Sequence, residues 1–192
     1  PSVTTTPTVT TTPTATETAI VTASPTPTVA ATPVSALACP LAPVPGCRRP
    51  IGAGGALTLS NRARDRNDAL AWRWDRGPAV ATSDFGDPLT VTAYRFCVYD
   101  AAGKLVIGAG VPPGGVCNAK TGSPCWHGRR LGFAYRNFDV ARSAIRSIDL
   151  HGGAAAGAAR ITLRGRGALL ALPRLRDLAL PLRAQLAVDG GG

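Results

Sequence analysis

The sequence predicts an all-β protein: a two-copy β-sandwich or partly open barrel, preceded by a disordered N-terminal Thr/Pro linker. Three observations predict it. From Gly55 onward apolar residues alternate with a period of two, Gly, Pro, Asn and Asp interrupt that alternation at short intervals, and a shift of 89 residues lays one half of the pattern on the other.

The linker covers residues 1–38. It holds fourteen Thr and six Pro, one acid (Glu17) and neither Lys nor Arg. So few large apolar groups cannot offset the entropy of ordering, and Pro at that density interrupts helices and ladders alike. A spacer biased toward polyproline II is expected, with its Thr residues open to O-linked sugars and an upstream domain or surface anchor as its partner.

The β domain covers residues 39–192 and opens on Cys-Pro-Leu-Ala-Pro-Val-Pro-Gly-Cys, Cys39 to Cys47. Cysteines 39, 47, 97, 117 and 125 stand beside a stalk of secreted type, and no pair has zinc-site spacing, so disulfides are expected rather than metal. The spacing predicts a Cys39–Cys47 bridge closing the Pro-rich loop and a local Cys117–Cys125 bridge. Cys97 is left as the unpaired thiol.

Strands are expected at Ala56–Ser60, Leu70–Asp75, Leu89–Asp100, Lys104–Ala109, Gly132–Phe138, Ser147–Leu150, Ala159–Gly165 and Leu182–Asp189. One short helix fits Asp139–Arg146. The ungapped shift places Leu59 on Ile148, Trp72 on Ile161, Trp74 on Leu163 and Tyr99 on Val188. Asp100 to Gly103 forms the turn into Lys104–Ala109, so Asp189 to Gly192 is read as the matching turn, with its returning strand beyond the sequence. Such a missing strand would leave Leu182, Leu186 and Val188 on an unpaired edge.

The order of the Thr/Pro stalk, CP…GC, LxLxxxxxD…LxWxW, GDP, YxxCVYD…GKLV, C…PCW, ITLRGRG and VDGGG resembles a domain of secreted proteins from GC-rich environmental bacteria. The resemblance spans residues 39–192 and implies no catalytic residues. It also implies a continuation past the last turn into a Cys-containing strand.

Candidate chemistry is sparse. His127 and His151 stand in no nucleophile elbow or zinc helix, and the only Glu is in the linker. Asp65 with Asp68, and Asp84 with Asp87, have the spacing of oxygen ligands for Ca²⁺, but Asp at such spacing far more often caps turns. Trp72 and Trp74 alternate with Arg73 and Asp75 and read as core. Trp126, in a Gly/Pro-rich stretch, reads as the aromatic most open to a ligand, with Arg129, Arg130 and Arg136 beside it. All 21 basic residues lie at or after Arg48, and 19 are Arg, an excess that GC-rich codon usage also produces. Dispersed Arg predicts weak, salt-sensitive polyanion binding without sequence preference, and no nucleic-acid motif is present.

The sequence therefore predicts a non-enzymatic module, secreted or on the cell surface of a bacterium, with a structural, adhesion or assembly role. The alternative is a module binding carbohydrate or a polyanion such as an extracellular polysaccharide. No cofactor, metal or membrane span is expected.

Overall fold

The computed structural model describes residues 37–139 and 143–189, and the linker expected over 1–38 falls almost wholly outside them. Three antiparallel sheets form. The largest is ordered β1 (Gly55–Ser60), β2 (Ala69–Gly77), β10 (Ala159–Arg166), β9 (Ile145–His151), β8 (Gly132–Arg136), β7 (Trp126–Arg129). A three-stranded sheet is ordered β11 (Arg183–Asp189), β3 (Ala93–Tyr99), β4 (Leu105–Val111). A small hairpin joins β5 (Val116–Asn118) to β6 (Ser123–Pro124). The sheets do not close into a barrel.

Alternation decides which side chains go inside. On β2, Leu70, Trp72 and Trp74 are buried, whereas Ala71 and Arg73 are exposed. β10 does the same with Leu163, and β3 turns Tyr94, Phe96 and Val98 toward them, with Trp72 and Phe96 at 5.3 Å between ring centroids. Burial of these large apolar groups between two sheets supplies the main stabilisation of a sandwich.

The repeat is built into the sheets. Hairpin β1–β2 and hairpin β9–β10 join through β2 and β10, where Trp72 faces Leu163 and Arg73 faces Thr162. In the smaller sheet β3 and β11 join, with Phe96 facing Leu186. An approximate two-fold axis through both sheets thus exchanges β1 with β9, β2 with β10 and β3 with β11. The register corrects two details of the ungapped superposition. Tyr99 does not fall on Val188: it stands opposite Arg183 on the outer face of the smaller sheet, whereas Val188 stands opposite Tyr94 on the inner face. With Trp72 set on Ile161, their ladder partners set Leu57 on Leu150 rather than Leu59 on Ile148.

Two further expectations are corrected. No helix covers Asp139–Arg146: Ile145 and Arg146 already belong to β9, and 140–142 lie outside the described residues. The strand expected from Leu89 begins only at Ala93, because Asp87 winds the preceding residues into a turn. Its carbonyl accepts from the N–H of Thr90, Val91 and Thr92, and its carboxylate from Leu89 N–H and the Thr90 hydroxyl.

The disulfides join Cys39 to Cys97 and Cys117 to Cys125, and Cys47 is free and exposed. The expected Cys39–Cys47 loop and the expected free thiol at Cys97 are therefore overturned. Prolines 40, 43 and 45 keep the segment extended instead of folding it back. It runs across the outer face of the three-stranded sheet, where Arg95 donates to the Ala38 carbonyl and the Tyr99 hydroxyl to the Pro40 carbonyl. Gly108 and Gly110 make room for it: a Cβ on Gly110 would stand 2.4 Å from the Leu37 Cβ.

Candidate functional site

Two surfaces stand out, one apolar and one basic. The apolar one follows from the incomplete symmetry of the sandwich. β4 lies against β9, whose Ile145, Ile148 and Leu150 are 0%, 0% and 2% exposed. At the related position no described strand lies beside β11, which pairs only with β3, and β1 keeps Leu57 and Leu59 only half-buried. A groove of about 250 Å³ opens there between the sheets. Trp72, Trp74, Tyr94, Phe85, Leu186 and Val188 line it, with Cys47 and Arg48 among its lining residues.

Polar contacts hold this seam in shape. Gln185 of β11, itself buried, donates from Nε2 to the Val44 carbonyl at 2.7 Å and accepts from Val44 N–H at 3.0 Å. The same nitrogen stands 3.2 Å from Cys47 Sγ. The Arg48 guanidinium meets the Asp84 carboxylate at 2.9 Å, and Ala81 N–H donates to that carboxylate as well. The Arg48 hydrogen bond, followed by that of Ala81, holds Asp84 below the usual carboxylate range. Tyr94, its hydroxyl donating to the Phe85 carbonyl, is pushed upward by burial.

The basic surface is the outer face of the six-stranded sheet. Period-two geometry that sends Trp72, Trp74 and Leu163 inward sends Arg73, Arg160, Thr162 and Arg164 outward. A shallow hollow on this face is lined by Arg129, Asp149, His151, Arg160 and Thr162. Arg136 is committed to Asp149 at 2.6 Å, and Arg73 to Asp75 at 2.6 Å. Arg129, Arg160 and Arg164 form no ion pair among the described residues and carry the net charge of the face.

The ligand cluster expected from sequence comes apart. Trp126 is 2% exposed, its ring between Tyr94 and Tyr135 at 5.3 and 5.1 Å, and its indole N–H donates to the Pro112 carbonyl. It cannot act as a stacking platform for a sugar, because both faces of its surroundings are protein. The reason is the strand β7, which lies in a stretch whose Gly and Pro content points to loop. Arg129 and Arg130 flank the exposed β7–β8 turn and Arg136 lies partly buried further along β8. Arg160 and Arg164 are the residues that sequence reasoning misses, although their alternation with Ile161 and Leu163 carries the signal.

His127 and His151 belong to β7 and β9, and neither is hydrogen-bonded through its ring to an acid among the described residues. Three of the four carboxylates in the two Asp pairs are engaged: Asp68 accepts from Arg62 N–H, Asp84 is held by Arg48, and Asp87 organises its own turn. No helix among the described residues is long and apolar enough to cross a membrane.

These features define an all-β, disulfide-bonded protein with antiparallel sheets packed face to face, in which β11 pairs with β3 alone among the described strands. No family model matches the chain, and neither the curated proteins nor the solved structures compared with it gave a match.

Proposed function

We propose that this chain is a non-enzymatic structural module of the bacterial cell surface or its surroundings, and that it works by assembly through the open seam beside β11. The observation carrying this reading is the break in symmetry. One flank of the sandwich is covered by β4, whereas at its counterpart Leu186 and Val188 line an apolar groove and Leu57 and Leu59 of β1 stay only partly buried against the core. Soluble domains shield edge strands that have no partner, and an unshielded apolar edge is a site for pairing with another chain. Two disulfides suit the oxidising setting that this reading requires.

A second reading has its own support: Arg129, Arg160 and Arg164 gather on one sheet face and suit an anionic polysaccharide. Sedimentation velocity on the full chain, alone at rising concentration and mixed with heparin, separates the two. Association lost in Leu186→Lys but retained in the Arg160→Ala/Arg164→Ala double variant supports assembly through the seam. The opposite pattern, with heparin binding that weakens steeply as salt rises, moves the function to the arginine face.

A further inference from the structure

We infer that the seam is an acceptor for one donated β-strand: an extended segment of another polypeptide, antiparallel to β11, with branched aliphatic side chains at alternate positions. This rests on the assembly reading above and names the occupant. The pseudo-two-fold axis carries β3 onto β11, so it carries the position of β4 onto the edge of β11 that no described strand pairs with. β4 fills its own position antiparallel to β3 and against β9, directing Ile107 and Val111 inward, each at most 3% exposed. A strand at the related position would continue the ladder of β11 and set its inward side chains over Leu57 of β1, beside Leu186 and the two groove-lining tryptophans. Main-chain pairing supplies affinity in such strand addition, and alternate side-chain pockets supply selectivity.

The geometry also selects against a second copy docked edge to edge. β1 lies one strand beyond β2 in the larger sheet, while the smaller sheet stops at β11. Two copies joined through β11 would bring their β1 strands into the same space, whereas a single donated strand brings no second sheet with it. Gln185 of β11 holds Val44, and the Cys47 and Arg48 that follow border the groove together with Gln185, so the incoming strand meets β11 beside this segment.

The probe is a synthetic peptide copying Lys104–Val111, added to the full chain, with the same peptide carrying Pro in place of Ile107 as control. Binding is read by hydrogen exchange of the β11 amides and by fluorescence of the tryptophans, of which Trp72 and Trp74 line the groove. The expected result is exchange in β11 slowed about tenfold or more, a blue-shifted emission, and no response to the Pro peptide. Leu186→Lys should weaken binding about tenfold or more by burying a charge. Val188→Thr, a milder change on the same strand, should weaken it less while leaving the fold intact. Protection confined to β3, which means the peptide has displaced β4, overturns the inference. So does equal binding of the Pro peptide. Concentration-dependent dimers that lose association in Leu186→Lys, without peptide binding, overturn the donated strand but keep assembly through the seam. Absence of both peptide binding and Leu186-dependent association removes both.

Discussion

The two flanks of this sandwich use the same strand plan and reach different degrees of closure. On one, β9 is covered by β4 and its inward residues are sealed. On the other, β1 is the repeat counterpart of β9 and has the same alternation, but it is the edge strand of its sheet, paired with β2 alone, and its burial pattern has no buried residue. Sequence pattern alone does not separate the two, since Leu57 and Leu59 are spaced like Ile148 and Leu150. The difference lies in both sheets: among the described strands β9 has a neighbour on each side and β1 has one, and likewise β3 has a strand on each side and β11 has one. Burial is thus a property of what lies opposite, and a repeat that ends unevenly exposes in one copy what it buries in the other.

The sharpest way to break this comparison is to truncate matched residues. Ile148→Ala empties a fully buried site and should cost about 3 kcal/mol, whereas Leu57→Ala, half-exposed, should cost about 1 kcal/mol or less. Urea denaturation of both variants measures the contrast. Equal losses would mean that β1 is as well covered as β9 and that the seam is closed in solution.

A comparable loss is expected from releasing the arm that crosses the smaller sheet. The Cys39–Cys97 bridge closes a 58-residue separation and holds the arm against β3. Replacing both cysteines with Ala should destabilise the domain by about 2–4 kcal/mol. Because the arm reaches β11 through Gln185 and Val44, the same change should raise the reactivity of the Cys47 thiol toward maleimide. A double variant that loses stability without altering Cys47 would show that the bridge and the seam are independent.

How much was legible in the sequence divides along the same line between local and distant causes. Strands such as Ala159–Arg166 declare themselves because alternation and flanking turns are local. Leu89–Thr92 carries the same apolar alternation yet forms no strand, because Asp87 offers the backbone a competing set of hydrogen bonds. The Cys39–Cys97 pairing was not legible: it depends on an extended arm crossing a sheet face that exists only once β3 and β4 have paired. Trp126 was misplaced for a related reason, since the stretch around it is rich in turn residues and its strand β7 is four residues long. The arginine face, by contrast, was readable. Arg73, Arg160 and Arg164 occupy the positions between inward Trp72, Trp74, Ile161 and Leu163, which fixes their side of the sheet once the inward set is known.

The smallest expected effect concerns the rim of the open flank. Arg48 and the Ala81 N–H together lower the Asp84 carboxyl from its ordinary value. A carboxylate with a folded-state pKa below the unfolded one adds stability that is present above the unfolded value, near 3.9, and is lost as pH falls through the folded value. Asp84→Asn should therefore lower the melting temperature slightly at neutral pH, and the gap from the unaltered chain should close in strong acid. The pair is solvent-exposed, so added salt should shrink the same gap at neutral pH. Melting curves at two pH values and two salt concentrations measure both trends. A gap that persists unchanged in acid would mean that Asp84 acts through its turn geometry and not through Arg48. The ion pair would then play no part in shaping the seam.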